Sequence, residues 1–286
     1  MSIKSVKSYA KINISLRVVS KRSDGYHELD SLMLPIELHD SLIISKLQNS
    51  SDNFVTVDDF SNGLIHYNLA SSAINALSNK YGFKDKFRVY IHKVIPMQAG
   101  LGGGSSNAAF TMKTVCSMMK LNPSEEELME LAAPLGADIP FFIRCLPSRA
   151  QGIGEKLQPL EVKNNYYCLI VKPTAGCSTK AVFAIADEKE TYNPVDIDTV
   201  VQALKDGDDD LLAQSIGNSL EEAAISLVPE IAQIKEALKA AGLKIVMMSG
   251  SGSAVFALST DQSLIKKVAK QLEDKYVVEV TKVIKK

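Results

Sequence analysis

Apolar and polar residues alternate along SYAKINISLRVV, residues 8–19, with Ile12, Ile14, Leu16 and Val18 two apart. A period of two puts those side chains on one face of a β-strand. KRSDGYHELDSLM follows, and Asp24-Gly25 supplies a turn into a second strand, as in a hairpin. SLIISKL and FVTVDDF are further predicted strands. The period changes in NLASSAINALSNKYG, where Leu69, Ala73, Ile74 and Leu77 recur at helical spacing and Gly82 stands as a stop. KFRVYIHKVIP alternates again through Phe87, Val89 and Ile91, so a strand runs toward Pro96 and into the loop PMQAGLGGGSSNAA. A helix beginning near Ser105 follows the loop.

NPSEEELMELAAPLG carries a helix start, with Asn122 as cap, Pro123 at the first helical position and acids in the first turn. GADIPFFI comes next. Near residue 160 the texture changes. NYYCLIVKP reads as a strand, DEKETYNPVDID as a polar stretch, and helical patterns then run through Ala241. LKIVMMSGSGSAVFALS predicts two strands joined by a glycine-rich turn, and DQSLIKKVAKQLEDKY an amphipathic helix before VVEVTKVI. Strands and helices thus intermix, an α/β (α+β) chain without internal repeats.

Composition narrows the possibilities. The 286 residues are 46% hydrophobic and 23% charged, enough for two medium cores. Thirty-two Lys and Arg against 33 Asp and Glu leave a net charge of -1, with no diffuse attraction to nucleic acid or anionic lipid. The four cysteines form no CxxC pair and no metal-ligand spacing, which predicts reduced thiols in a cytoplasmic protein. No stretch approaches the roughly 18 to 20 apolar residues that span a bilayer, and the N-terminus has no apolar leader core. No membrane association is expected.

The loop at residues 96–109 joins a strand to a helix. Gly100, Gly102, Gly103 and Gly104 let backbone amides turn inward, and the helix start adds a positive dipole end, features that suit phosphate. A plain glycine-rich turn at a helix N-terminus accounts for the same residues. A Walker A loop is excluded because Ser105-Ser106 follow the glycines without a lysine, and the dinucleotide fingerprint because its spacing and downstream acid are missing.

The run P-x-x-A-G-L-G-G-G-S-S-N-A-A resembles the phosphate-binding motif of the GHMP kinases. YAKINISLRVVSKRSDGYHEL, GADIPFF and MSGSGSAVFAL match the same family in order, so the resemblance covers essentially the whole chain. Two departures stand out: Gln98 holds a position where glycine or a small residue is usual, and CLPSRAQGIGE lacks the Gly-Gly common before G-x-G-E. The resemblance implies the two-domain GHMP kinase fold. Residues 1–160 would form the N-terminal ATP-binding domain, ribosomal protein S5 domain 2-like, and residues 161–286 a ferredoxin-like C-terminal domain, with the site in a cleft. It further implies use of ATP and Mg2+ to phosphorylate the 2-hydroxyl of a cytidine diphosphate-linked methylerythritol in non-mevalonate isoprenoid precursor biosynthesis. The rivals are a mevalonate- or homoserine-type GHMP kinase and a non-catalytic nucleotide-binding regulator.

Site residues follow from the same resemblance. Phosphoryl transfer needs positioning and charge stabilisation. Asp138, otherwise readable as a turn cap, matches the proposed base. Lys11, otherwise an exposed strand lysine, matches a partner that stabilises charge at the acceptor oxygen. Pro96, Ala99, Gly100, Leu101, Gly102, Gly103, Gly104, Ser105 and Ser106 would cradle ATP phosphates, the two serines also being candidate helix caps. Asn68 would contact adenine or ribose, though an N-cap explains it as well. The acceptor falls to Asn13, Tyr26, His27, Thr179 and Phe183, with Tyr26 and Phe183 sandwiching cytosine and His27 reading its edge. Gly250, Ser251 and Gly252 form an amide-rich turn facing substrate. No dedicated metal-ligand set is expected, since magnesium takes few protein ligands.

Overall fold

The computed structural model describes residues 2–58, 68–189, 192 and 194–286. The chain divides into two compact units, the first formed by the described residues of Met1–Ala10, His39–Ile95 and Gly102–Cys145, the second by Lys11–Leu38, Pro96–Leu101 and Leu146–Lys286. Two long strands, β1 (Ile3–Lys21) and β2 (His27–Leu47), pair with each other and contribute residues to each unit. Gly25, with φ 85°, makes the predicted turn between them.

In the first unit the later part of β2 pairs antiparallel with β4, from Ser41 opposite His92 to Leu47 opposite Lys86. β3 (Phe54–Asp58) lies parallel to β4 (Lys86–His92), and α1 (Leu69–Tyr81) makes the crossover that a parallel pair requires. Asp59 and Phe60, at the end of the predicted FVTVDDF strand, lie outside the described residues. Phe87, Val89 and Ile91 are buried, as are Ala70, Ala73, Ile74 and Leu77 on one face of α1. α1 packs on α2 (Gly103–Met119), and α3 (Glu125–Ala132) and α4 (Ile139–Arg144) complete the unit.

Two predicted helix starts move. α3 is capped by Ser124, whose Oγ accepts from Glu127 N at 3.1 Å; Asn122 and Pro123 lie outside it. Ser124-x-x-Glu127 is a capping-box spacing, and it outcompetes the Asn-Pro signal. α2 begins at Gly103 rather than near Ser105, with left-handed Gly102 (φ 71°) at the cap position and no side-chain cap bond. Ser105 and Ser106 therefore sit inside the helix and cap nothing.

In the second unit β5 (Ser148–Gly152) pairs antiparallel with the earlier part of β2 and with β6 (Lys156–Pro159). Next come β7 (Tyr167–Lys172), α5 (Thr179–Lys189), α6 (Ile197–Asp206), α7 (Asp209–Ser215), α8 (Glu221–Leu227), α9 (Glu230–Ala240), β8 (Ile245–Met248), β9 (Val255–Ser259), α10 (Gln262–Leu272) and β10 (Val277–Lys282). The last four strands form an antiparallel sheet in the order β10-β7-β9-β8. Leu169, Val171, Val182, Ile234, Met248 and Ile265 belong to its core. The helical run predicted through Ala241 is broken into short helices, because left-handed Gly207, the Asp208 cap and Pro229 each interrupt it. Glu190, Thr191 and Asn193, in the polar stretch, lie outside the described residues. Among those residues no helix is long and apolar enough to cross a membrane.

Candidate functional site

In the first unit, β4 delivers the chain toward α2 through a buried acid. Asp40 is fully buried and accepts from Val94 N, Ile95 N and Lys93 Nζ, each at 2.8 Å. Lys93 also donates to Ile95 O at 2.7 Å; burial pushes its ammonium pKa down and the Asp40 charge opposes that shift. A Cβ on Gly103 would lie 2.8 Å from Lys93 Nζ, so the lysine occupies the space that a side chain there would need.

The first amides of α2 have no acceptor within their own helix, and its residues 106 to 112 are buried. The polar ones among them need partners. Ser8 Oγ lies 2.8 Å from Ser106 Oγ and 2.7 Å from Asn107 Oδ1. Asn68 caps α1, its Oδ1 accepting from Ala70 N at 2.8 Å, and Leu69 Cδ1 lies 3.9 Å from the Cβ position of Gly104, which sets the start of α1 beside that of α2. Asp138 is half-buried at the cap position of α4 but makes no side-chain cap bond. Capping is therefore not its role.

The second unit holds the remainder of the loop, Pro96–Leu101, against the turn between β8 and β9. Ser253 N donates to Gln98 O at 3.2 Å, Ala254 N to Ala99 O at 3.3 Å and Ser249 Oγ to Gly100 O at 3.0 Å. Gly100 has φ 73°, and a Cβ there would lie 2.0 Å from Ser249 O. Gly250 has φ 57°, and its Cβ would lie 3.1 Å from Asn13 Oδ1. Asn218, buried, donates to Met248 O at 3.0 Å and Gly250 O at 2.8 Å while accepting from Leu220 N at 2.9 Å, so its amide fixes the turn. Thr179 and Ser251 meet through their hydroxyls at 2.9 Å.

Gln98 now has a structural account. Its φ is 51°, its carbonyl accepts from Cys177 N at 3.2 Å as well as from Ser253 N, and its exposed side chain lies over Gly176, where a Cβ would sit 2.6 Å from Oε1. Lys172 Nζ holds the adjoining segment by donating to Pro173 O at 2.8 Å, with Thr174 O and Ala175 O each at 3.3 Å.

Lys11 is 3% exposed, which overturns its reading as an exposed strand lysine: the middle of β1 is buried on both faces. Its Nζ donates to Asn13 Oδ1. Asn13 Nδ2 donates in turn to Ser31 Oγ at 2.8 Å, Ser31 Oγ donates to Ser15 O at 2.8 Å, and Asn13 N donates to Ser249 Oγ at 3.2 Å. The ammonium is thus presented from a fixed polar ladder.

At the hairpin end, Tyr26 is 60% exposed and His27 is 9% exposed. The Phe183 ring stacks on His27, centroids 4.5 Å apart and planes 27° off parallel. His27 Nε2 lies 2.7 Å from Asp187 Oδ1. Within the second unit, then, Lys11, Asn13, Gly100 and Gly250 come together, as do Thr179 with Ser251 and His27 with Phe183. Asn68 and the α2 start are brought together in the first. Ser249, Asn218, Asp40, Ser8 and Asp187 escape the sequence reading, because each acts through partners distant in the chain.

Residues 68–145 match the GHMP kinases N terminal domain and residues 200–278 the GHMP kinases C terminal domain. A 4-diphosphocytidyl-2-C-methyl-D-erythritol kinase of Caldicellulosiruptor bescii is 34% identical over 269 residues, 94% of this chain and 93% of the relative. One of Bacillus velezensis is 36% identical over 267 residues, 92% of this chain and 90% of the relative. A crystal structure of 4-(cytidine 5'-diphospho)-2C-methyl-D-erythritol kinase superposes with a TM-score of 0.82 at 30% identity, covering 98% of this chain and 99% of that one. A homoserine kinase from Cytophaga hutchinsonii, at 19% identity and a TM-score of 0.75, shares the fold and covers 99% and 96%.

Proposed function

The chain belongs to the GHMP kinase family, among relatives named 4-diphosphocytidyl-2-C-methyl-D-erythritol kinase, and on that premise we propose that it phosphorylates the 2-hydroxyl of that cytidylylated polyol. It is an ATP-dependent small-molecule kinase with the two-domain GHMP kinase fold. The single observation that supports the chemistry best is the seating of the glycine loop, where Gly100 and Ser249 meet too closely for any side chain.

The loop carries no charge of its own, so backbone amides at the start of α2 would take the ATP phosphates. Asn68, whose Oδ1 serves the cap of α1, would meet the adenosine end through Nδ2. In the reaction the acceptor oxygen bonds to the γ-phosphorus, the bond to the bridging oxygen breaks, ADP leaves, and the hydroxyl proton passes to Asp138. Lys11 would hold negative charge at the acceptor oxygen, its aim set by Asn13. Because the transition state is loose, orienting the hydroxyl is the larger share of Asp138's task. Magnesium, when bound with ATP, neutralises phosphate charge. Among the described residues no three His, Cys, Asp or Glu gather as a metal cage, and phosphate and water oxygens supply most ligands to such an ion.

Tyr26, His27, Phe183, Thr179 and the Gly250, Ser251 and Gly252 turn are proposed to take the cytidine diphosphate end. The enzyme is proposed to act in the cytoplasm. ADP release, followed with MgATP and separately with the cytidylylated polyol, mevalonate and homoserine, tests the assignment: turnover on the first alone supports it, and turnover on either of the others rejects it.

A further inference from the structure

Three donors converge on Asp187. Its Oδ1 accepts from His27 Nε2 at 2.7 Å and from the Tyr192 hydroxyl, and its Oδ2 accepts from Lys21 Nζ at 2.5 Å. Asp187 lies four residues after Phe183 on α5, so both project from one face of that helix. They meet the same imidazole, Phe183 against its face and Asp187 at its edge. Burial pushes the Asp187 carboxyl up, but the hydrogen bonds from Lys21, Tyr192 and His27 outweigh it and hold the group below the usual aspartate range. A carboxylate only accepts, so His27 must donate from Nε2, and a neutral ring then carries its lone pair on Nδ1.

We propose that Asp187 is a positioning residue for base recognition: it fixes His27 in the Nε2–H tautomer so that Nδ1 accepts from the 4-amino group of cytosine. This rests on the kinase assignment above. Cytosine presents a donor at that position and uracil a carbonyl acceptor, which would face the Nδ1 lone pair without a proton between them. Phe183 packs on the face of the imidazole while Asp187 fixes its rotation, so Asp187 need not touch the base for selection to follow.

The test compares full-length wild type, Asp187→Ala and Asp187→Asn on the cytidylylated acceptor and its uridylylated analogue, with 15N NMR of the His27 ring read on the same samples. Wild type is expected to show the Nε2–H tautomer and to prefer the cytosine substrate. Asp187→Ala is expected to mix the tautomers, raise KM for the cytosine substrate about tenfold and narrow the preference over uracil, a loss on the scale of one hydrogen bond. The KM for ATP and kcat should stay within about twofold. Asp187→Asn, which keeps an oxygen acceptor, should restore most of the preference. An Asp187→Ala enzyme with a single Nε2–H tautomer, or with unchanged base preference, overturns the proposal. If Asp187→Ala fails to fold, Asp187→Leu, which also removes the acceptor, carries the same tautomer measurement, and a single Nδ1–H tautomer in folded wild type overturns the idea directly. Should wild type turn over no cytidylylated acceptor, the kinase assignment fails, while the tautomer readout still decides whether Asp187 controls His27.

Discussion

Gly100 and Ser249 lie in backbone contact: a Cβ on Gly100 would come within 2.0 Å of the Ser249 carbonyl oxygen. The loop proposed to hold ATP phosphates and the turn proposed to meet the acceptor's diphosphate share that boundary. Ser249 Oγ reinforces it by donating to Gly100 O at 3.0 Å.

Gly100→Ala combines a left-handed φ of 73° with a clash against backbone. A left-handed non-glycine costs about 1–2 kcal/mol and overpacking about 1–3 kcal/mol, so urea melts should show a loss of about 2–5 kcal/mol. Activity should fall with it. Gly104→Ala is the contrast: that residue is helical, and its Cβ would meet only Leu69 Cδ1 at 3.9 Å. Its stability should hold or rise by up to about 1 kcal/mol, while KM for ATP rises if this backbone receives phosphate.

Asn218→Asp replaces an amide that donates to Met248 O and Gly250 O with a group that can only accept. Two buried carbonyls lose their donor and face a carboxylate. Each unsatisfied buried group costs about 1–3 kcal/mol, so a loss of about 2–6 kcal/mol is expected in urea melts. Asn218→Ser should fall between the two.

The acid limb of the stability curve carries a signature of Asp187. Burial opposes its ionisation, yet Lys21, Tyr192 and His27 hold its carboxyl low, so the folded chain binds that proton more weakly than the unfolded chain does. Its contribution is complete above about pH 5 and is lost as the pH falls below the ordinary aspartate value of about 3.9. Urea melts at about pH 6 and about pH 3 should therefore show a smaller acid-induced loss for Asp187→Asn than for wild type.

Much of this was legible from residue order alone. The β1–β2 hairpin showed in its period of two and in Asp24-Gly25; α1 showed in its apolar spacing, Asn68 cap and Gly82 stop. The glycine loop showed because its tight backbone turn is written in closely spaced glycines. Lys11 did not, since alternation reveals one buried face and cannot tell that the other is covered too. The partnership of Asn13 with Ser249 spans 236 residues and leaves no local trace. Asp187 sat at the start of a polar stretch that reads as a connection, and only the fold brings His27 to it. Ser124 was legible as a capping box but was masked by the adjacent Asn-Pro.

The central claim is phosphoryl transfer to one hydroxyl with Asp138 at the acceptor. The most direct measurement is 31P and 13C NMR of the product formed from MgATP and the cytidylylated polyol, by wild type and by Asp138→Asn at equal folded concentration. A phosphate ester on the 2-hydroxyl with wild type, and a rate lower by about 10²- to 10⁴-fold with the variant at unchanged thermal stability, is the predicted result. An ester at another position, or full activity in Asp138→Asn, would contradict it.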